Sequence, residues 1–236
     1  MNDIPPKPYH QHIPHDPEDQ SPISQAEEDI SFFEKQIISL HNLMRAKKQL
    51  PSFDAVRRAA EEVDGLFAAQ EFPVDLPACL QGRWPEYGER RVLAVETVLC
   101  ELGYLSKADL RAALAESTDR PAPPSAATPY APVVDAATYC EPRYFPGTVV
   151  QVAAHPPAGH IRTPVYLLGK TGVIVRLQGM FLSPEDLAHF KSSVVQLPLY
   201  LVEFAMADVW GDRCPPKSLK DKLRVEIYEP WLLPLD

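Results

Sequence analysis

Basic charge, cysteine and long apolar runs are all scarce in this chain. Its 236 residues carry 23 Lys and Arg against 32 Asp and Glu, a net charge of −9. Nucleic-acid partners call for a basic face, so that balance argues against them. No stretch nears the roughly 18 consecutive apolar residues of a membrane span. The opening MNDIPPKPYHQHIPHDPEDQ lacks the basic and apolar regions of a secretory leader, and a cytoplasmic protein is expected. The four cysteines, Cys79, Cys100, Cys140 and Cys214, lie far apart with no Cys-x-x-Cys. Neither a disulfide framework nor a zinc knuckle is expected, and reduced thiols suit a cytosolic setting. There is no phosphate loop, no G-x-S-x-G elbow and no H-E-x-x-H helix. His155 and His160 share one segment without an evident third metal ligand, and His10, His12 and His15 sit in a tail where metal binding would be incidental. This chain by itself is expected to hold no metal.

Proline, by contrast, is abundant, with 26 residues. It clusters in residues 1–22 and in PAPPSAATPYAPVVDAATYCEPRYFP, residues 121–146. Proline fixes φ and lacks a donor N–H, so neither segment suits a helix or a central strand. The expected organisation is an extended, acid-rich tail (1–29), a helical domain (30–118), a Pro-rich linker (119–146) and a β domain (147–236).

In the helical part, Ile30, Phe33, Ile37, Leu40 and Met44 recur at helical spacing and define one face, and Pro51 stops that helix. A second helix starts at Ser52, a good N-cap, with Phe53, Val56, Ala60, Val63 and Phe67 as its stripe. At 100° per residue Arg57 lies about 80° from the stripe centre and Arg58 about 180°. Arg57 is therefore expected on the shoulder and Arg58 in water. A third helix over about 86–102 turns Val92, Val95, Leu99 and Leu102 inward, with Gly103 just past its end. Ser106 and Asp109 form a variant capping box for a fourth, carrying Leu110 and Leu114. The buried stripes look too few to close a core alone, so packing on another chain is expected.

From Pro146 onward the period changes to two. GTVVQVAA, TGVIVRL, PLYLVEFA and LRVEIY read as short strands, the last with Leu223, Val225 and Ile227 on one face. A small, bent antiparallel barrel of the SH3-like kind is expected. The fold class is thus α+β, helical half first. The long segment HPPAGHIRTPVYLLGK between the first two strands is the natural place for function.

Three C-terminal motifs go further. GHIRTPVYLLGKTGVI (159–174), YLVEFAMADVWG (200–211) and VEIYEPWL (225–232) resemble, in order, the Gly-His-x-Arg-x-Pro-x-Tyr loop, the Phe-x-x-x-x-Leu/Trp-Gly turn and the closing strand of nitrile hydratase β subunits. In the helical half, SFDAVRRAAEEV (52–63) is similar to that family's helix centred on Asp-x-x-Arg, and GERRVLAVETVLCELGYLS (88–106) to its Tyr-Glu-Arg-Trp helix.

The resemblance implies a metal-dependent hydratase that turns nitrile and water into amide. Its cobalt(III) or iron(III) belongs to a partner α subunit, in a Cys-x-x-Cys-Ser-Cys loop with cysteines oxidised to sulfinate and sulfenate. The metal serves as a Lewis acid or generates a bound hydroxide. The matching catalytic residues here are Arg57 and Arg162, whose guanidiniums suit anionic sulfur-borne oxygens as rigid charge-assisted donors. Tyr87, Tyr166 and His160 fall at positions implied to bind substrate. The implied assembly is a heterodimer or heterotetramer acting on a small nitrile, with no nucleic acid or membrane. The sequence departs from the family in its Pro/His/acid tail. It departs again at Tyr87-Gly88-Glu89-Arg90-Arg91, where a second tyrosine and a later aromatic are missing. A thiocyanate hydrolase-like subunit, a metal-loading accessory protein and a peptide-binding adaptor are the alternatives.

Overall fold

The computed structural model describes residues 3–10, 30–50, 52–70, 76, 80–114, 130–134, 141–156 and 158–235. The chain divides into two compact units, Met1–Ala131 with Ala188–Ser192, and Pro132–Leu187 with Ser193–Asp236.

The first unit is helical. Helix α1 (Phe32–Ala46) opens on a full capping box. Ser31 Oγ accepts from Glu34 N at 3.2 Å, and Ser31 N donates to Glu34 Oε2 at 2.9 Å. Helix α2 (Phe53–Ala69) starts where the sequence placed it, with Ser52 Oγ accepting from Asp54 N at 3.0 Å. Helix α3 (Tyr87–Glu101) is followed by Gly103 at φ +77, a left-handed position that only glycine takes without strain. Helix α4 (Lys107–Leu114) is capped by Ser106 and Asp109 as expected. The core joins Val56, Ala55 and Ala59 of α2 to Ala94, Val95 and Val98 of α3, with Leu50, Leu102 and Phe190.

Two expectations fail here. The α1 stripe is not buried: Ile30, Phe33 and Leu40 are exposed, Phe32 is 77 % exposed, and His41 is the buried residue of that helix. Arg58 does not face water but is fully buried. By 100° per residue, the buried arc of α2 runs from the stripe through Ala59, Ala55 and Glu62 to Arg58, away from Arg57. The small side chains of Ala55 and Ala59 let neighbouring backbone approach on that flank. Residues 188–192 fill it: Ala188 O accepts from Arg58 Nε at 2.7 Å. Residues 3–10, within the segment expected to be an extended tail, also lie against this unit. Ile4 N donates to His189 O at 2.8 Å, His189 Nδ1 lies 2.7 Å from Ile4 O, and His10 Nε2 lies 2.9 Å from Glu61. His12, His15, Cys79 and Cys140 fall outside the described residues, whereas Cys100 and Cys214 are thiols.

The second unit is a five-stranded antiparallel sheet in the order β6-β5-β3-β2-β7. Its strands are β2 (Val149–Val152), β3 (Thr171–Leu182), β5 (Gln196–Ala205), β6 (Lys222–Tyr228) and β7 (Leu232–Pro234). Strands β1 (Val133–Val134) and β4 (Ser193–Val194) form a separate parallel pair. A short helix α5 (Pro184–Ala188) follows β3, and another, α6 (Met206–Trp210), follows β5. The ladder of β3 on β5 is irregular at Ile174/Arg176 and Leu177/Gly179, as bending requires. Among the described residues β6 and β7 remain edges, so the sheet is open between them. Its core gathers Val150, Val152, Ile174, Tyr200, Val202, Phe204, Ile227 and Trp231. Among the described residues no helix is long and apolar enough to cross a membrane.

Candidate functional site

Helices α2 and α3 enclose a cavity of about 270 Å³ lined by Phe53, Val56, Arg57, Ala60, Glu61, Tyr87, Arg90, Arg91 and Ala94. Two residues singled out from sequence, Arg57 and Tyr87, thus meet in one place. Arg57 reaches it because it lies on the unburied flank of α2, with its guanidinium carbon 4.8 Å from the Phe53 ring centre. Cation and ring attract there, which steadies the head without neutralising it. Among the described residues Arg57 has no ion pair.

The floor of the cavity is ordered from behind by His41. Its ring stacks on Phe53 at 5.5 Å, and its Nδ1 accepts from Arg91 Nε at 3.2 Å and lies 2.7 Å from Arg91 Nη2. Burial, together with Arg91 and Arg45, lowers the His41 pKa to about 4. The imidazole is therefore neutral at pH 7, with Nδ1 as the acceptor. Arg91 Nη1 donates to Tyr87 Oη at 2.5 Å. Tyr87, exposed at the first turn of α3, is thereby held against the cavity. Arg90 is paired with Asp64 at 2.6 Å, and burial raises the Asp64 pKa.

Gly88 has a definite cause. A Cβ there would lie 2.8 Å from Glu34 Cγ and 3.0 Å from the Phe33 ring. The start of α1 occupies the space a second tyrosine would need.

In the other unit, Arg162 is exposed between buried Ile161 and Thr163. Anchored neighbours on both sides fix the backbone that presents its guanidinium. His160 is buried and neighbours Glu185, whose pKa is raised chiefly by burial. Glu185 Oε1 also accepts from Trp231 Nε1 at 3.1 Å. The structure thus places His160 inside this unit, two residues before the exposed Arg162. Tyr166 is half-exposed and stacks on Trp210 at 5.4 Å, next to Gly211 at φ +55. Deeper in this unit Glu229 accepts from Tyr200 Oη at 2.7 Å and from Arg143 N and Nε at 2.9 Å. Burial and that carboxylate push the Tyr200 pKa up to about 12. Among the described residues no group of three or more His, Cys, Asp or Glu could hold a metal ion.

Sequence reasoning missed Arg91, His41 and Arg58. The i,i+4 spacings Tyr87–Arg91 and Arg58–Glu62 were visible signals. The pairing of His41 with Arg91 bridges 50 residues and left none.

Comparison with known proteins gives matching families. The model for the nitrile hydratase beta subunit, C-terminal, matches residues 133–234. The chain is 33% identical to nitrile hydratase subunit beta of Pseudomonas chlororaphis over 182 residues, covering 77% of this chain and 72% of the relative. It is 29% identical over 91 residues to the cobalt-containing nitrile hydratase subunit beta of Pseudonocardia thermophila, covering 39% and 37% of the two. A solved thiocyanate hydrolase apo-enzyme from Thiobacillus thioparus is similar over 40% of this chain and 78% of its own, at 29% identity and a TM-score of 0.36.

Proposed function

Since the chain belongs to the nitrile hydratase β-subunit family, we propose that it acts with an α subunit to add water across the C≡N bond of a small nitrile, giving the amide. The metal, cobalt(III) or iron(III), belongs in that reading to the partner, where it supplies Lewis-acid chemistry. This chain's own contribution is electrostatic. Arg57 and Arg162 donate to the anionic oxygens of the partner's oxidised cysteines, holding them in place and balancing their charge.

One observation supports this above the others. Arg57 stands at a cavity rim, braced by Phe53 and without a carboxylate partner among the described residues. A structural arginine is neutralised, as Arg58 is; one that serves another chain's anion is not. Tyr87 and Tyr166 supply polar aromatic edges for the substrate, and His160 steadies the loop that carries Arg162. The exposed apolar face of α1 fits a chain that completes its core against a partner, as αβ or as a dimer of such pairs. The bent sheet of the second unit we read as SH3-like, preceded by a linker over about 119–146. The thiols Cys100 and Cys214 suit the cytoplasm.

The test is turnover of propionitrile by the co-expressed complex. Arg57→Lys and Arg162→Lys keep the charge but lose the fork, and each is expected to lower kcat by about 10²-fold, as loss of one preorganised donor does. The complex should still form on a sizing column. Wild-type turnover in both variants ends the reading.

A further inference from the structure

The cavity between α2 and α3 is more cationic than a clamp on a partner's oxygens requires. Its lining holds three arginines, Arg57, Arg90 and Arg91, against one carboxylate, Glu61, a formal excess of two positive charges on a chain whose net charge is −9. Arg90 is answered by Asp64, and Glu61 lies against His10. Arg91 is different. Its three hydrogen bonds go to the His41 ring nitrogen and to the Tyr87 hydroxyl, neither of them a carboxylate. Among the described residues no carboxylate pairs with it.

Those three bonds use one N–H of Nε, one of Nη1 and one of Nη2. A guanidinium has five, so one N–H on each terminal nitrogen is left for a ligand. The side chain is meanwhile locked, so little rotamer entropy remains to be lost on binding. Phe53, Val56, Ala60 and Ala94 make the rest of the wall largely apolar, which strengthens any charge pair formed inside. A neutral nitrile draws on none of this charge, whereas a small anion does.

We propose that this cavity is a subsite for small anionic substrates of the nitrile type, with Arg91 as the residue that recognises the negative charge. Two sources share that chemistry: an organic nitrile bearing a carboxylate, and thiocyanate. The inference deepens the reading above, since it rests on this chain forming one wall of a nitrile-converting site. Arg91 touches substrate, not the reacting carbon, so it acts on KM more than on kcat.

The experiment compares propionitrile, 3-cyanopropanoate and thiocyanate as substrates of the co-expressed complex, wild type against Arg91→Gln. In parallel, the full chain alone is titrated with thiocyanate and with propionitrile while the arginine Nε–H signals are followed by NMR. In Arg91→Gln, KM for at least one anionic substrate is expected to rise tenfold or more beyond any change in KM for propionitrile, which reports what the lost Tyr87 contact costs by itself. Which anion responds identifies the source. In the titration, thiocyanate should shift the Arg91 signal saturably and propionitrile should not. Arg91→Lys should restore part of the anion preference, which separates a charge role from a folding defect. Equal changes for neutral and anionic substrates, or an unchanged thiocyanate affinity in Arg91→Gln, overturn the proposal and leave the clamp reading standing. A wild-type complex inactive on every nitrile overturns the clamp reading instead, and the titration still decides whether the cavity takes anions.

Discussion

Replacing Arg58 by Met should be among the most damaging single changes in the helical unit. The arginine is fully buried. Its Nε donates to Ala188 O at 2.7 Å, its Nη1 to Glu62 at 2.8 Å, and its Nη2 makes a short contact with Glu101. Methionine fills much of the same volume, so the cavity left behind is small. What remains is Glu62, itself 3 % exposed, with its charge uncompensated. Breaking a buried pair from one side costs about 3–5 kcal/mol. For a unit of this size that is a fall of about 10–15 °C in Tm, read from the helical signal at 222 nm. The pH dependence gives a sharper check. Burial already raises the Glu62 pKa in spite of Arg58, and removing the arginine raises it further. A carboxyl whose folded pKa lies above its unfolded value favours folding when protonated and opposes it as pH rises through the folded value. The deficit of Arg58→Met should therefore be larger at about pH 7 than at about pH 4.5. Changing both partners, Arg58→Met with Glu62→Met, should recover most of the loss, because an apolar pair of similar shape carries no stranded charge. A deficit under about 1 kcal/mol, one independent of pH, or a double variant no better than the single would each refute this reasoning.

Two further outcomes follow from other parts of the molecule. His41 has its pKa lowered to about 4 against an ordinary 6.5, so its contribution is present above pH 6.5 and is lost as pH falls towards 4. Up to about 3 kcal/mol is at stake over that window; His41→Asn, which keeps an acceptor for Arg91 and removes the titration, should flatten the urea midpoint there, and an unchanged slope would sink the assignment. Gly172 in β3 has no room for a methyl group, since a Cβ would lie 2.7 Å from both Phe204 and Val202; Gly172→Ala should cost about 1–3 kcal/mol by overpacking, and a wild-type denaturation midpoint would show that the sheet yields instead.

The comparison of α1 with α2 shows where sequence reading succeeds and where it stops. Both have clear apolar periodicity and sound caps, and both form close to where local chemistry directs them. Yet most of the α1 stripe stays exposed, and α2 is buried over a much wider arc than its own stripe. Periodicity states which face of a helix is apolar. It does not state how many neighbours surround that helix, or from how far along the chain they come. Residues 188–192 and residues 3–10 both lie against the helical unit, and neither carried a local sign of doing so. The same limit explains the misplacement of Arg58. Its wheel angle suggested water, while its actual partners are a carboxylate 43 residues away and a carbonyl 130 residues away.

The sequence by itself determined the helical first half, the change to period two after Pro146, the capping residues Ser52 and Ser106, and the family to which the C-terminal motifs belong. These depend on neighbours within a turn or two, or on strings of residues that can be matched directly. Folding alone settled that Arg58 is ion-paired with Glu62 and Glu101 while Arg57 has no carboxylate partner among the described residues, that Gly88 makes way for α1, and that Arg91 is held by His41 beside Tyr87 at the cavity. An arginine's role depends on which carboxylates come within a few ångströms, and segments far apart in the chain meet at those distances only once it has folded.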